Sequence, residues 1–374
     1  LTPIRKIVTD IATAANVAAM PALAQLLADG AYAQPPRYSA AVAVIQRYGT
    51  RTHAAAVGQL GRFADTAGTP APAHLAVDAD ESTVFDFASI TKMFTAVVML
   101  TLVEQGVLGL DEPVAGWLAS FQDGQRRQVT LRHLLSHTSG LPAVLPLATD
   151  WPDRDARVAA VLNAPLRHAP GTAFEYSCVG FMLAGFLAEQ VTGQTLPELV
   201  AERICRPLGL ADTGFRPAAP LVARTAATEL QPDRGLVHGS VHDESSWSLG
   251  GTAGNAGIFG TATDLARFGE MLRSGGSPIL RKGTVAEMTR DQLRPELDPG
   301  YRHGLGVRIA DPQSMGMLAR SGAYGHTGFT GTSLVVDPGR GLVVVLLTNR
   351  VHPSRDWSTV ADLRQAVAHL AAGG

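Results

Sequence analysis

The chain has 374 residues, 46% of them hydrophobic and 17% charged, with 39 glycines, 23 prolines and a formal net charge of −2. That composition excludes disordered and fibrous chains and leaves a loop-rich globular protein, with one large unit or two interleaved domains expected from the length. The near-neutral charge, without a basic run or basic stripe, gives no footprint for nucleic acid, and two cysteines are too few for a disulfide framework or a cysteine-rich zinc site.

In chain order, Ile4, Ile7, Val8 and Ile11, then Leu23, Leu26 and Leu27, recur at helical spacing and Gly30 offers a stop, which predicts an opening helix. Asp10, Pro21 and Asp29 interrupt this segment as a signal peptide, which favours a cytoplasmic location. The chain opens on Leu1 rather than methionine, so an exported form with a removed leader stays open. Ser39 to Tyr48 is β-rich, Gly49-Thr50 reads as a turn, and Thr52 to Gly61 runs back as a hairpin partner. Helices are expected at Ser89 to about Gly106, Leu131 to Ser136, Asp155 to Leu162, Ser177 to Val191, Leu196 to Cys205 and Thr263 to Leu272. Strands return at Gly304 to Ile309, Gly331 to Val336 and Gly341 to Leu347, and Ser358 to Leu370 closes the chain as a helix. The longest apolar runs, around Thr95 to Val103 and Leu342 to Thr348, fall short of the roughly 20 residues that span a bilayer. This order predicts an α+β fold. A discontinuous α/β domain, residues 1–84 and 262–374, has an antiparallel sheet formed by both chain ends. It encloses a mostly helical domain, residues 85–261, with the active site in the cleft between them.

Ser89-Ile90-Thr91-Lys92 sets a hydroxyl and an amine one helical turn apart where an apolar helix begins. Basic charge here comes almost wholly from arginine, with only Lys6, Lys92 and Lys282 as lysines, and Lys92 alone has a serine three residues before it. A desolvated amine can titrate and handle a serine proton, whereas arginine stays protonated. An N-capping serine followed by a surface lysine would produce the same letters, so the pattern needs company. Tyr176, in Glu175-Tyr176-Ser177-Cys178 at a loop-to-helix junction, is the second candidate proton handler, because an ammonium stabilises a neighbouring phenolate. His326-Thr327-Gly328-Phe329 precedes a predicted strand, and Gly325, Gly328 and Gly331 allow close backbone approach, which suits an edge strand lining a cleft. An acylated Ser89 would need two oxyanion donors, and the backbone N–H groups of Ser89 and Phe329 are the natural pair.

Taken together, these motifs resemble the serine β-lactamase and penicillin-binding protein family, especially its class C β-lactamase-like esterase branch. The resemblance covers nearly the whole chain and includes Thr130-Leu131-Arg132-His133-Leu134-Leu135-Ser136-His137-Thr138-Ser139-Gly140-Leu141, Val241-His242-Asp243-Glu244, Ala256-Gly257-Ile258-Phe259 and Gly328 to Asp337. It implies Ser89 as nucleophile, Lys92 and Tyr176 as the proton-handling pair, and His326 in the place of the family's Lys-Thr-Gly lysine. It further implies an acyl-enzyme formed on an ester or amide, with no cofactor and no metal. Two departures bear on substrate. Cys178 stands where the family often has the asparagine of Tyr-x-Asn, and His326, only partly charged near pH 7, replaces a fixed cation. Both point away from β-lactams and toward a carboxylesterase. The alternatives are a transacylase moving an acyl group from an ester to an amine, a D-amino-acid peptidase or weak β-lactamase, and an inactive binding protein.

Cys178 reads better as a small buried thiol than as a nucleophile, and Cys205 as core. His238, His242 and Asp243 have a spacing that invites a metal, but Gly239 argues for loop and no metal is expected. Asp243, Glu244 and Trp247 are expected to shape the cleft rim or tie loops.

Overall fold

A computed structural model describes residues 20–373. Its main sheet is antiparallel throughout, seven strands in the order β2-β1-β10-β9-β8-β7-β6. The members are β1 (Ala40–Arg47), β2 (Thr50–Gly58), β6 (Arg302–His303), β7 (Arg308–Ile309), β8 (Tyr324–Thr327), β9 (Ser333–Asp337) and β10 (Leu342–Thr348). β1 lies against β10, with Ala41 opposite Thr348 and Arg47 opposite Leu342, so strands from both ends of the chain share one sheet, as expected for the α+β reading.

Strict alternation gives this sheet two apolar faces. Ala41, Ala43, Ile45, Val344 and Leu346 face α1 (Met20–Ala31) and α7 (Ala361–Gly373), meeting Leu23, Leu27, Leu363 and Val367. Val42, Val44, Val343, Val345 and Leu347 face the opposite way, into the core shared with α6 (Ala262–Arg273) and α2 (Thr91–Glu104). From Thr91 to Leu102 every residue of α2 is buried, the signature of a helix enclosed on all sides. Phe94 of α2 stacks on Phe268 of α6, ring centroids 4.0 Å apart, which ties the start of the central helix to the sheet layer.

Several elements differ from the sequence reading. Gly30 lies inside α1 rather than ending it; a Cβ there would sit 2.3 Å from the Tyr38 hydroxyl, so glycine admits that ring. The Ile4 to Ile11 part of the predicted opening helix lies outside the described residues. The β1–β2 turn falls on Tyr48-Gly49, one residue early, with both φ angles positive (49° and 79°), the hairpin-turn conformation that matches strand twist. Gly304 to Ile309 is a hairpin arm instead of one strand. Gly306 turns at φ 74° and packs where a Cβ would come within 2.7 Å of Ala96 on α2, so β6 and β7 pair across it. His326 and Thr327 are part of β8 itself, an inner strand, yet both lie beyond the last residues that β7 pairs, so this end of β8 is locally an edge. A second sheet, β3 (Phe85–Asp86), β5 (Ile258–Gly260) and β4 (Gly214–Phe215), in the order β3-β5-β4, consists of strands too short to show any period.

Candidate active site

Ser89 sits in a single 3-10 turn, Ala88–Ile90, between β3 and α2. The turn is sharp: Ala88 has φ 48°, a left-handed conformation that a side chain disfavours and the surroundings must hold. Asp86 does so. Its buried carboxylate accepts the N–H groups of Ala88 and His242, each at 2.7 Å. Burial outweighs those bonds and raises the Asp86 pKa.

Lys92, one helical turn on, is fully buried. Its Nζ donates to Ser89 Oγ at 3.0 Å and to the Asn255 carbonyl at 3.1 Å, and it lies 5.0 Å from the centroid of the Tyr176 ring. Burial works against the ammonium, but the acidic groups around it, Cys178, Tyr176 and Asp243, outweigh it and hold the amine above the ordinary lysine range. Lys92 therefore stands as a donor beside Ser89, and negative charge that develops on Tyr176 has a cation next to it. Burial pushes the Cys178 thiol up, so that side chain is a neutral thiol near pH 7.

Tyr176 precedes the N-cap of α4 (Cys178–Thr192), where Ser177 Oγ accepts the Gly180 N–H at 3.0 Å. The Thr130 to Leu141 segment holds this junction. His137 Nδ1 accepts the Ser177 N–H at 2.9 Å, its carbonyl accepts the Glu175 N–H, and its ring lies 4.4 Å from the Tyr176 ring. One segment flagged in the sequence without a role is thus the seat of Tyr176.

The turn joining β8 to β9 is stitched to the nucleophile turn. Thr330 Oγ1 donates to the Asp86 carbonyl (2.8 Å) and Thr332 Oγ1 to the Phe87 carbonyl (3.0 Å). Gly328 packs so closely that a Cβ would lie 2.4 Å from the Phe87 carbonyl oxygen and 3.3 Å from the Ala88 Cβ. Among the described residues the N–H groups of Ser89 and Phe329 take no protein acceptor. Phe329 is 47% exposed, stacked on His242 and flanked by the guanidinium groups of Arg350 and Arg355.

His326 differs from its expectation. It is 1% exposed, and burial, then Arg308 and Lys92, hold its pKa well below the ordinary histidine range, so it is neutral rather than partly charged at pH 7. Its Nδ1 lies 2.8 Å from the Thr327 carbonyl, which can only accept, so Nδ1 carries the hydrogen and the buried Nε2 is an acceptor with no partner among the described residues. The fixed cation next to it is Arg308, which the sequence reading did not single out. Arg308 lies opposite Gly325 in the sheet, its guanidinium 5.8 Å from the Tyr176 ring centroid and bonded to Asp311 at 3.1 Å. No local pattern marked it: Leu305, Val307 and Ile309 alternate with Gly306 and Arg308 as in any half-buried strand. Asn255, also missed, sits one residue before the flagged Ala256 to Phe259 segment and joins Lys92 to Asp243, whose Oδ1 it meets at 3.3 Å.

The rim residues separate into distinct tasks. Asp243 caps the helix Glu244–Ser248 through the Ser246 N–H, Glu244 pairs with Arg355, and Trp247, 43% exposed, lies under Arg234 at 4.6 Å. Glu244 and Trp247 line a cavity of about 430 Å³ that Arg355 shares. His242 bonds Glu229 at 2.9 Å and His238 the Thr225 carbonyl at 3.0 Å. Among the described residues no three His, Cys, Asp or Glu side chains are grouped to hold a metal ion. Cys205 is core, its thiol pushed up to about 12 by burial and Asp264. Among the described residues no helix is long and apolar enough to cross a membrane.

Comparison with known proteins follows the same lines. Residues 23–369 match the family model described as Beta-lactamase. A protein of Escherichia coli (strain K12), provisionally named D-alanyl-D-alanine carboxypeptidase, is 34% identical over 323 residues, 76% of this chain and 72% of its own length. Among solved structures, EstCE1, described as a hydrolase with promiscuous acyltransferase activity, superposes with TM-score 0.70 at 24% identity, covering 98% of this chain and 100% of its own. Unliganded simvastatin synthase (LovD) from Aspergillus terreus does so with TM-score 0.72 at 22% identity, covering 95% and 98%. At such identities these two likenesses are of fold.

Proposed function

The chain belongs to the beta-lactamase family, whose members include serine hydrolases and acyltransferases, and from that premise we propose that it is a carboxylesterase-type serine acyl hydrolase. Ser89 Oγ attacks the acyl carbonyl while its proton passes to the Tyr176 phenolate, the form that the Lys92 ammonium stabilises before the step. The oxyanion is received by the N–H groups of Ser89 and Phe329. Collapse breaks the bond to the alkoxide, which takes the proton from Tyr176, and water repeats the sequence on acyl-Ser89 to release the acid. The observation that carries this reading is the buried Lys92 ammonium, hydrogen-bonded to Ser89 Oγ and 5.0 Å from the Tyr176 ring centroid.

Preference for an ester rests on two side chains. Cys178 offers no carboxamide to grip an acyl-amide group, and position 326 presents a neutral imidazole, with Arg308 engaged by Asp311 and flanked by the Tyr176 and Tyr301 rings. Hydrolysis of a chromogenic short-chain ester, with turnover abolished in Ser89→Ala, is the expected result; equal rates in both proteins would remove Ser89 from the mechanism.

A second reading, acyl transfer to an amine, is raised by the fold likeness to EstCE1, described as a hydrolase with promiscuous acyltransferase activity, and differs only in what accepts the acyl group from Ser89. Supplying ester together with an amine and counting amide against acid separates the two. The E. coli relative's name raises peptidase or β-lactamase chemistry; a β-lactam mass adduct on Ser89 and its release rate test that branch. Failure of a fluorophosphonate probe to label the protein would favour a non-catalytic binding role instead.

A further inference from the structure

Arg364 lies on α7, on the side of the sheet away from α2, and nothing in its sequence surroundings marks it. Its Nη2 nevertheless reaches the β8–β9 turn, donating to the carbonyls of Gly328 and Thr332, each at 2.9 Å. The Gly328 carbonyl belongs to the same peptide unit as the Phe329 N–H. That unit is planar, so fixing its oxygen fixes the direction of its hydrogen. Within the turn the Gly331 N–H also meets this carbonyl, at 3.1 Å; Arg364 adds a shorter, charged bond to a peptide that glycine, tolerant of most backbone conformations, otherwise leaves able to turn. Arg350 secures the next peptide through its Nε, which donates to the Phe329 carbonyl at 2.8 Å. A charged donor on a carbonyl also draws electron density through the amide and strengthens its N–H as a donor.

We propose that Arg364 is a positioning residue for the oxyanion hole. Through the Gly328 carbonyl it orients and polarises the peptide whose N–H, that of Phe329, receives the developing negative charge. The inference rests on the reading of Phe329 as an oxyanion donor. Burial, with Arg350 and Arg308 nearby, lowers the Arg364 pKa to about 10, so the guanidinium is charged at neutral pH as this role requires.

The test compares wild type, Arg364→Met and Arg364→Lys in ester hydrolysis and in binding two probes. An alkylboronic acid adds to Ser89 as a tetrahedral anion, and an unreactive ketone analogue of the ester reports ground-state binding. Arg364→Met is expected to lose about tenfold to hundredfold in kcat/KM, less than loss of a direct oxyanion donor. Boronate affinity should fall in the same proportion while the ketone analogue stays within about twofold, since only interactions made in the transition state are removed. Arg364→Lys should recover part of both losses by supplying a cation to one carbonyl. A folded Arg364→Met protein with unchanged kcat/KM, or equal loss of both probes, overturns the proposal. Should Arg364→Met not fold, Arg364→Lys carries the same comparison, and failure of both to fold assigns the guanidinium to the fold and also overturns it. Failure of the underlying esterase reading is separate, because it shows in wild type as turnover that survives Ser89→Ala or as absence of a boronate adduct.

Discussion

Lys92 is fully buried, yet its ammonium has the Ser89 hydroxyl and the Asn255 carbonyl as acceptors, with Tyr176 and Cys178 beside it. Lys92→Met should therefore leave the fold largely able to form but slow serine acylation by about 10²–10⁴, the range of positioned proton transfer. Lys92→Arg should not rescue it, since the larger planar guanidinium does not fit a fully buried single-ammonium site. Stopped-flow labelling with a fluorophosphonate reads both, and labelling of Lys92→Arg at the wild-type rate would end this account. His326→Lys would restore the family's residue type but add a third cation beside Lys92 and Arg308, the groups that already suppress charge on the imidazole. Such a variant is expected to lose about 3 kcal/mol, the scale of an unpaired buried charge, and to gain no β-lactam turnover. A chromogenic β-lactam assay with urea unfolding decides it. Ser89 and Lys92 were legible because three residues of helix bring them together by local geometry. Arg308 and Asn255 were not, since a sheet register opposite Gly325 and a turn after the helix Glu244–Ser248 bring them in, and no local spacing encodes either.

The turn between β3 and α2 is the element on which the chemistry hangs, and Asp86 is what maintains it. Asp86→Ala strands two buried N–H groups, at Ala88 and His242, each costing about 1–3 kcal/mol. Asp86→Asn keeps one oxygen to accept and should lose less. Because the Asp86 carboxylate accepts the N–H of Ala88, the residue held at φ 48°, activity should fall in Asp86→Ala even under conditions where circular dichroism shows it folded. Wild-type kcat in a folded Asp86→Ala protein would show the turn to be self-supporting. Elements of this length were where sequence reading failed. The β1–β2 hairpin spans enough residues for alternation to appear, whereas β3, β4, β5, β6 and β7 have two or three residues each and owe their existence to neighbours. Gly306 illustrates the cause: its turn is demanded by contact with Ala96 on a distant helix, and alternation read straight through it.

Joining strands from both chain ends into one sheet was legible from the order of predicted elements, but its consequence for pH was not. Folding brings four buried histidines, His137, His303, His326 and His352, into settings that hold them neutral, with His303 lowered to about 3 and His352 to about 4, both chiefly by burial. His352 shows why. Its Nδ1 meets the Thr228 carbonyl at 2.9 Å, while Nε2 accepts the N–H groups of Arg62 and Phe63 at 3.1 and 3.0 Å. A proton on Nε2 would face two donors and part the Arg62-Phe63 segment from His352. In the unfolded chain these imidazoles titrate near 6.5, so below that pH the unfolded state binds more protons than the folded one. Stability is then complete above about pH 6.5 and falls as pH drops toward the folded values, by up to about 1.4 kcal/mol per pH unit for each histidine. Carboxylates act later: Glu287, lowered to about 2 by Arg290 and Arg132, loses its contribution only as pH falls from its ordinary value through 2. Between pH 6.5 and 5 the histidines should therefore dominate the decline. Urea unfolding at steps from pH 7.5 to 5 should show the free energy falling in that window, with His303→Gln reducing the slope by about one proton's worth. A free energy that stays level down to pH 5 would mean that the buried imidazoles accept protons without opening the fold.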